Sequence, residues 1–285
     1  MKIPKYLSIL SLVVIGVLYG ASPAWAAGIL GTAQSFAVLG ASTVTNTGST
    51  VIYGDLGLSP GTSVTGFPPG IMNGTIYTGP GPGPAQTAQA DATTAYNTLL
   101  HLAPTSTLTG QDLGGMTLTP GVYNFSSSAQ LTGPLTLDFG GNANALFVFQ
   151  IGSTLTTASG AVVNVTNGGT NDGVFWQVGS SATLGTSTQF AGNILAYSSI
   201  TLDTSANILC GRAIALTGAV TMDTNTISNN CSTYGGGFSD FGSGGFSGGQ
   251  TAPVSAVPEP KTYAMLLAGL GLLGFTTWRR KDLTA

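Results

Sequence analysis

The chain is short of charge. Of its 285 residues only 6% are Asp, Glu, Lys or Arg, against roughly a quarter in an average soluble domain. Cations are scarcest: between Lys5 and Lys261 the only Lys or Arg is Arg212. Residues 27–256 carry that one Arg and eight Asp, a net charge of −7 (1 − 8). Such a surface cannot neutralise a row of phosphates, which excludes nucleic acid as a partner and disfavours anionic lipid headgroups. One histidine, His101, and no Cys/His cluster leave nothing to bind zinc or a similar metal. Catalysis is poorly equipped too. Polysaccharide cleavage on a β-scaffold needs convergent carboxylates or a base with cationic help. Asp203 and Asp223 occupy equivalent places in a repeat, but no Glu, Lys or His supports them. They read as turn residues, and the chain reads as neither an enzyme nor a cofactor carrier.

What the chain has instead is glycine, 43 residues of it, with abundant Thr, Ser and Asn and 42% apolar residues. Low charge with this composition is compatible with disorder. Regular alternation of β-branched and polar residues argues for packed β-structure instead. Within residues 174–226 a short apolar run, a small-residue corner and a Thr-containing strand recur. Gly173, Gly192 and Gly211 precede the three copies at intervals of 19. Residues 148–153 (VFQIGS) match 175–180 (FWQVGS) at an offset of 27, so the spacing varies. Repetition at this period with strand patterning inside it predicts stacked β-coils. Residues 30–78 read as short strands broken by Gly and Pro. Residues 85–102 break the pattern: without Gly or Pro, they place Ala88, Ala92, Ala95, Tyr96, Leu99 and Leu102 at helical spacing, and Pro104 ends them. A mostly alanine stripe predicts one helix lying close against a flat side of the stack.

Alternation assigns the faces of the coils. Leu155, Leu184, Leu202 and Met222 point inward; their predecessors Thr154, Thr183, Thr201 and Thr221 point outward, and Thr136 before Leu137 takes the same phase. Ser181, Ser199 and Ala219 lie two residues earlier and are also outward. The expected result is a flat ladder of Thr methyls and hydroxyls, with Asp203 and Asp223 near one margin. Stiff, regularly spaced, uncharged side chains suit the matching of ordered water; equally, Thr fills the exposed side of many β-structures.

The ends read as packaging. Lys2 and Lys5, an apolar run over residues 7–19 and Ala24-Trp25-Ala26 form a secretory signal peptide, residues 1–26, or else an uncleaved anchor. Residues 235–256 form a Gly/Ser-rich linker. Beyond it, Val257-Pro258-Glu259-Pro260, an apolar run over 263–278 and Arg279-Arg280-Lys281 are able to anchor the chain in an inner membrane. In an exported chain Cys210 and Cys231 suggest a disulfide; a buried thiol and a free one are the alternative.

Two resemblances sharpen these expectations. The tail at Pro258, Glu259 and Pro260 resembles the PEP-CTERM sorting signal. That implies cleavage by an exosortase-like machinery and delivery to the surface or exopolysaccharide matrix of a Gram-negative-type bacterium. Residues 28–230 resemble the microbial ice-binding family, through FAVLGASTVTNTGST (36–50), GDLGLSPG (54–61), TGFPPG (65–70), LTPGVY (118–123), VFWQVGSSATLGT (174–186) and GRAIALTGAVTMDTNTI (211–227). The resemblance implies a mostly β fold, a discontinuous right-handed β-helix with one long helix alongside, over residues 27–234. It also implies an ice crystal surface as partner, met through T-A/G-x-T/N motifs. Thr47-Gly48-Ser49-Thr50 matches the motif, and Thr217-Gly218-Ala219-Val220-Thr221 carries one residue more. The expected site is therefore Thr47, Gly48, Thr50, Thr136, Thr154, Ser181, Thr183, Ser199, Thr201, Thr217 and Thr221. The rival expectation is a non-catalytic adhesive or structural protein that contacts extracellular polysaccharide.

Overall fold

A computed structural model describes residues 28–142, 144–168 and 172–230. The signal peptide, the linker, the sorting tail and Cys231 lie outside these residues. Among the described residues no helix is long and apolar enough to cross a membrane; the apolar run 263–278 is not among them.

The strands are short because corners interrupt them every few residues, and all their pairings are parallel. Successive coils stack to form three sides. Fifteen strands make one continuous sheet that folds around two sides, and seven make the third. Two long strands, Gln189–Ala196 and Asn207–Ala215, run across the bend between the first two sides. They turn at Gly192 and Gly211, which face each other across the ladder. A Cβ on Gly211 would lie 1.9 Å from the Gly192 carbonyl oxygen, so this bend admits only glycine.

The repeat is real but its phase is not uniform. Val148–Ile151 pair with Phe175–Val178 at the expected offset of 27. Phe175 pairs with Asn193, an offset of 18, so Gly173 and Gly192 are not register partners despite their interval of 19. A bulge between Phe190 and Ala191 then lengthens the next coil by one residue. One more is added between Ala196↔Ala215 and Ile200↔Val220. The extra residue in 217–221 is therefore absorbed at a corner, and Thr201 still faces Thr221.

The coils are not stacked in chain order. The first ones, with strands Phe36–Gly40, Thr43–Thr47 and Val51–Tyr53, pair with the last, Asn207–Ala215, Val220–Asp223 and Thr226–Ser228. Helix α1, Pro84–Leu100, passes beside end strand Ile76–Thr78 and along the stack. The chain re-enters at Ser106–Thr107, at the opposite end of the sheet, and builds back. At 1.5 Å per residue its 17 residues span about 25 Å, enough to pass five strand spacings of about 4.8 Å.

Inside the coils an aromatic column forms where Tyr123, Phe149 and Trp176 share a register position. Phe149 and Trp176 stack at 3.9 Å with rings 8° apart. The other side of these strands is buried as well. Val148, Phe175, Leu195, Ile214 and Leu39 meet Ala88, Ala92, Ala95, Tyr96 and Leu99 of α1, which is why these strands read as unbroken apolar runs. Small alanines let the helix backbone come close enough for polar anchoring. Gln150 donates to the carbonyls of Leu99 and Leu102 at 2.8 Å each, closing the helix C-terminus. Asp91 accepts from the Thr32 amide and hydroxyl at 2.7 Å each. Arg212 is buried on this side. It donates to Asn193 Oδ1 at 2.9 Å and to the Gln34 carbonyl at 2.7 and 3.0 Å. The one cation of the described residues thus ties the N-terminal segment to the stack.

Candidate functional site

The third side is the flat one. Its strands lie in the order Ala129–Leu131, Leu155–Thr157, Ala182–Leu184, Ile200–Leu202, Val220–Asp223, Thr43–Thr47 and Ser63–Thr65. Alternation buries Leu155, Ala182, Ile200, Val220 and Val44 in the core and turns their neighbours outward. The register makes the middle outward row Gln130, Thr156, Thr183, Thr201, Thr221, Thr45 and Thr65. Six adjacent threonines are uninterrupted by any charge. Thr45 Oγ1 lies 3.4 Å from Thr221 Oγ1. A flanking row, two residues earlier, holds Ser128, Thr154, Ser181, Ser199, Ala219, Thr43 and Ser63; Thr154 donates to Ser128 at 2.9 Å. The row on the other flank ends in Asp203, Asp223 and Thr47, with Asp223 paired to Thr47.

Thr183, Thr201 and Thr221 therefore stand together as expected, with Thr154, Ser181 and Ser199 in the row beside them. Thr154 is one row off: Leu155 faces Ala182, and Thr156 continues the Thr183 row. Thr47 lies at the margin. Gly48 forms the following corner at φ +84, where a Cβ would meet the Thr224 hydroxyl at 2.3 Å; its part is to turn the chain. Thr217 sits at the corner before the face, its hydroxyl donating to the Tyr197 carbonyl at 2.6 Å.

Two expected residues are misplaced. Thr50 is fully buried, its hydroxyl accepting from the Asn225 amide at 3.0 Å. The motif Thr47–Thr50 spans a corner, and a residue past the corner no longer shares the strand's outward face. Thr136 belongs to strand Pro134–Asp138 in the other sheet, between Thr117 and Asn164. Its Thr-before-Leu pattern gives the correct in-and-out phase on the wrong side of the coil. Sequence reasoning missed Thr156, Thr43, Thr45, Thr65 and Gln130. Thr43 and Thr45 alternate about Val44 in the sequence, but nothing local says that this strand abuts Val220–Asp223, some 175 residues away.

Both aspartates sit at the corner after the face, and the Asp223 carboxylate is tied into it. Asp223 accepts the Thr204 hydroxyl and, at 3.0 Å, that of Thr224. Asn225 pins the same corner. Its Oδ1 accepts from the Asp223 amide at 2.6 Å, and its Nδ2 donates to the carbonyls of Asp203 and Ala206 at 2.9 and 2.7 Å. Among the described residues no group of three His, Cys, Asp or Glu is placed to hold a metal ion. Cys210 is fully buried; its expected partner Cys231 lies outside the described residues.

A stack of parallel β-coils, one helix laid along one side and a threonine-lined second side define a surface-presenting β-solenoid. The chain belongs to the ice-binding-like family, whose model matches residues 38–228. It is 61% identical over 277 residues to an ice-binding protein of Nostoc sp. (strain HG1), covering 97% of this chain and 96% of that one. An ice-binding protein of Flavobacterium frigoris (strain PS1) is 33% identical over 213 residues, covering 70% of this chain and 75% of that one. The crystal structure of an ice binding protein from an Antarctic biological consortium superposes with a TM-score of 0.66 at 49% identity, covering 70% of this chain and 90% of that one. Residues 256–281 match the PEP-CTERM protein-sorting motif.

Proposed function

We propose that this is an exported ice-binding protein that adsorbs to ice through the flat side and thereby restrains ice growth or recrystallisation, without catalysis. The observation that carries this reading is the row Thr156, Thr183, Thr201, Thr221, Thr45 and Thr65, held in register by parallel pairing across six strands. Neighbouring coils repeat at about 4.8 Å and outward residues of one strand at about 6.7 Å, so methyls and hydroxyls form a two-dimensional lattice. β-Branched side chains are stiff at χ1, so little rotamer entropy is lost when water orders against them. Methyl groups order the water between them, and hydroxyls bond into it. Charged groups would impose hydration shells of their own; here the aspartates lie at the margin.

The working residues of this proposal are Thr154, Thr156, Ser181, Thr183, Ser199, Thr201, Thr221, Thr43, Thr45 and Thr65, with Thr47 and Thr217 at the edges. Export and sorting are the role of the terminal segments, with an exosortase-like machinery acting at Pro258-Glu259-Pro260. The family membership and the named relatives support the reading. The test is thermal hysteresis and inhibition of ice recrystallisation by purified protein. Measurable activity is expected in both; a folded protein inactive in both would reject the proposal. A second reading, contact with extracellular polysaccharide, draws on Tyr197, 52% exposed at the corner beside Ser199 and backed by Tyr96 at 6.3 Å. A sugar-array screen separates the two.

A further inference from the structure

The two ends of the stack differ. At one end residues 106–118 fold under it: Leu108 and Leu113 are 8% and 0% exposed, and Asp112 bridges to Gln130 at the edge of the flat side. The other end is formed by Ser63–Thr65 on the flat side, Ile71–Asn73 on the remaining side and Ile76–Thr78 on the helix-bearing side, and each of these pairs with one strand only. There the core is open. Val64, Met72 and Ile76 share register positions with Val44, Ile52 and Leu56, which are all 0% exposed. Yet Ile76 is 41% exposed, and Val64, Met72 and the corner residue Phe67 are only half-buried.

The backbone is open at the same place. The Ile71 amide donates to the Thr50 carbonyl at 2.8 Å, and the Asn73 carbonyl accepts from Gly54 at 3.3 Å. Residues of a parallel strand bond alternately to the neighbours on its two sides, so Met72 turns its N–H and C=O to the side without a strand. Likewise the Thr75 carbonyl and the Gly79 amide bond to Leu56 and Leu58 at 3.0 and 3.1 Å, which turns Ile76 and Thr78 to the open side. Free strand edges are ordinarily blunted by charge. Here no Asp, Glu, Lys, Arg or His occurs between Asp55 and Asp91, and Tyr53 and Ile71 add apolar surface, 46% and 54% exposed.

We infer that this end is the interface of a two-fold dimer, in which the last coils of two copies meet. The opposite end is covered, so head-to-tail stacking has no open partner. In a two-fold pair the same patch meets itself, and an uncharged apolar edge does so without repulsion. An axis normal to the flat side sets the two Ser63–Thr65 strands antiparallel to each other, and Ile71–Asn73 of each copy against Ile76–Thr78 of the other. An axis normal to the helix-bearing side would instead press together the two 79–83 segments that lead to α1. An axis normal to the remaining side would lay each of those segments beside the other copy's flat side. The first arrangement leaves the threonine rows clear and joins them at Thr65. The inference rests on the ice-binding reading and deepens it: the unit that meets ice is the joined flat sides of two chains. One coil is a smaller patch than the roughly 20–30 residues a side of a standard interface, so pairing is expected at micromolar concentrations or above.

The test is sedimentation velocity on the full chain, in a mild non-ionic detergent that keeps the apolar run 263–278 dispersed, from about 1 μM to 1 mM. Two variants address the edge. Ile76→Lys puts a charge on the open end of the core. Thr78→Pro removes an N–H that the coil itself does not use, at an edge position that accepts proline. Both are expected to melt like the wild type and to self-associate at least tenfold more weakly; where one melts early, the other decides. At concentrations where the wild type is paired, thermal hysteresis per chain should fall at least twofold in the variants. A wild type that stays monomeric throughout, or pairing unchanged in both variants, overturns the inference, and measurable hysteresis then leaves the ice-binding reading standing. Pairing lost in the variants with hysteresis per chain unchanged overturns the joined faces. Pairing through this end without hysteresis upholds the interface and rejects the ice-binding reading.

Discussion

Thr201 is the middle of the flat side, fourth of seven positions from Gln130 to Thr65. Six spacings of about 4.8 Å give the row a length of about 29 Å. Thr201→Tyr would raise a ring well above the methyl level at its centre. The longest unbroken run would fall from seven strands to three on either side, about 10 Å each between outer rows. Because a rigid lattice is matched as a unit, hysteresis is expected to fall to well under half. Stability should hardly change, since an outward strand position accepts Tyr as readily as Thr; a shift within about 0.5 kcal/mol is expected. The assay is thermal hysteresis at matched concentrations beside a melting curve. Thr136→Tyr, on the other sheet, serves as the control and should leave activity intact. Full activity in Thr201→Tyr, or loss in Thr136→Tyr with unchanged melting, would refute the assignment of the face.

Three further outcomes concern stability. Arg212→Ala removes the guanidinium from the buried Asn193 side-chain oxygen and from the Gln34 carbonyl, which keeps Asn229 Nδ2 at 3.4 Å as a side-chain donor, and is expected to cost about 2–5 kcal/mol. At about 2–4 °C per kcal/mol the melting temperature should drop by roughly 10 °C; a drop under 2 °C would show that the clamp is dispensable. Gln150→Leu roughly keeps the volume but removes the donor to the carbonyls of Leu99 and Leu102; Leu99 keeps the Leu102 amide at 3.4 Å, whereas the Leu102 carbonyl loses its side-chain donor. The expected cost is about 1–3 kcal/mol, with faster amide exchange in the last turn of α1 than elsewhere. For pH, Asp138 is held below the usual carboxylate range by the Asn167 side chain and the Gly140 amide. At Asp112 partial burial works the other way, but the amides of Gly114 and Thr132 outweigh it and its carboxyl is lowered too. A depressed folded pKa stabilises above the unfolded value of about 3.9 and is lost as pH falls through the folded one. Melting temperature should therefore be insensitive to these two groups down to about pH 4–5 and decline below. Asp138→Asn should make the decline shallower, which melts in half-unit pH steps would detect.

Much of the architecture was legible locally. The offset of 27 between residues 148–153 and 175–180 is a true register, and the inward set Leu155, Leu184, Leu202 and Met222 is buried throughout. The alanine stripe of residues 85–102 is the buried face of α1, which runs from Pro84 to Leu100, with Leu102 packed just beyond its end. The candidate face was legible in part. Thr183, Thr201 and Thr221 follow from one short repeat. Thr154 stands one row away from Thr183, because equal phase does not fix the offset between coils.

Sequence alone determined the alternation, the helical stripe and the near-absence of charge, since each depends on residues close in the chain or on composition. Tertiary structure decided which coils touch. Parallel ladder hydrogen bonds are made by backbone and carry no side-chain code, and coil lengths of 18, 19, 20 and 27 residues shift the register at every corner. The helix carries the chain along the stack, so that Thr45 and Thr65 complete a row begun by Thr156 and Thr183. The same circuit turns Thr136 to another side and buries Thr50 behind a corner.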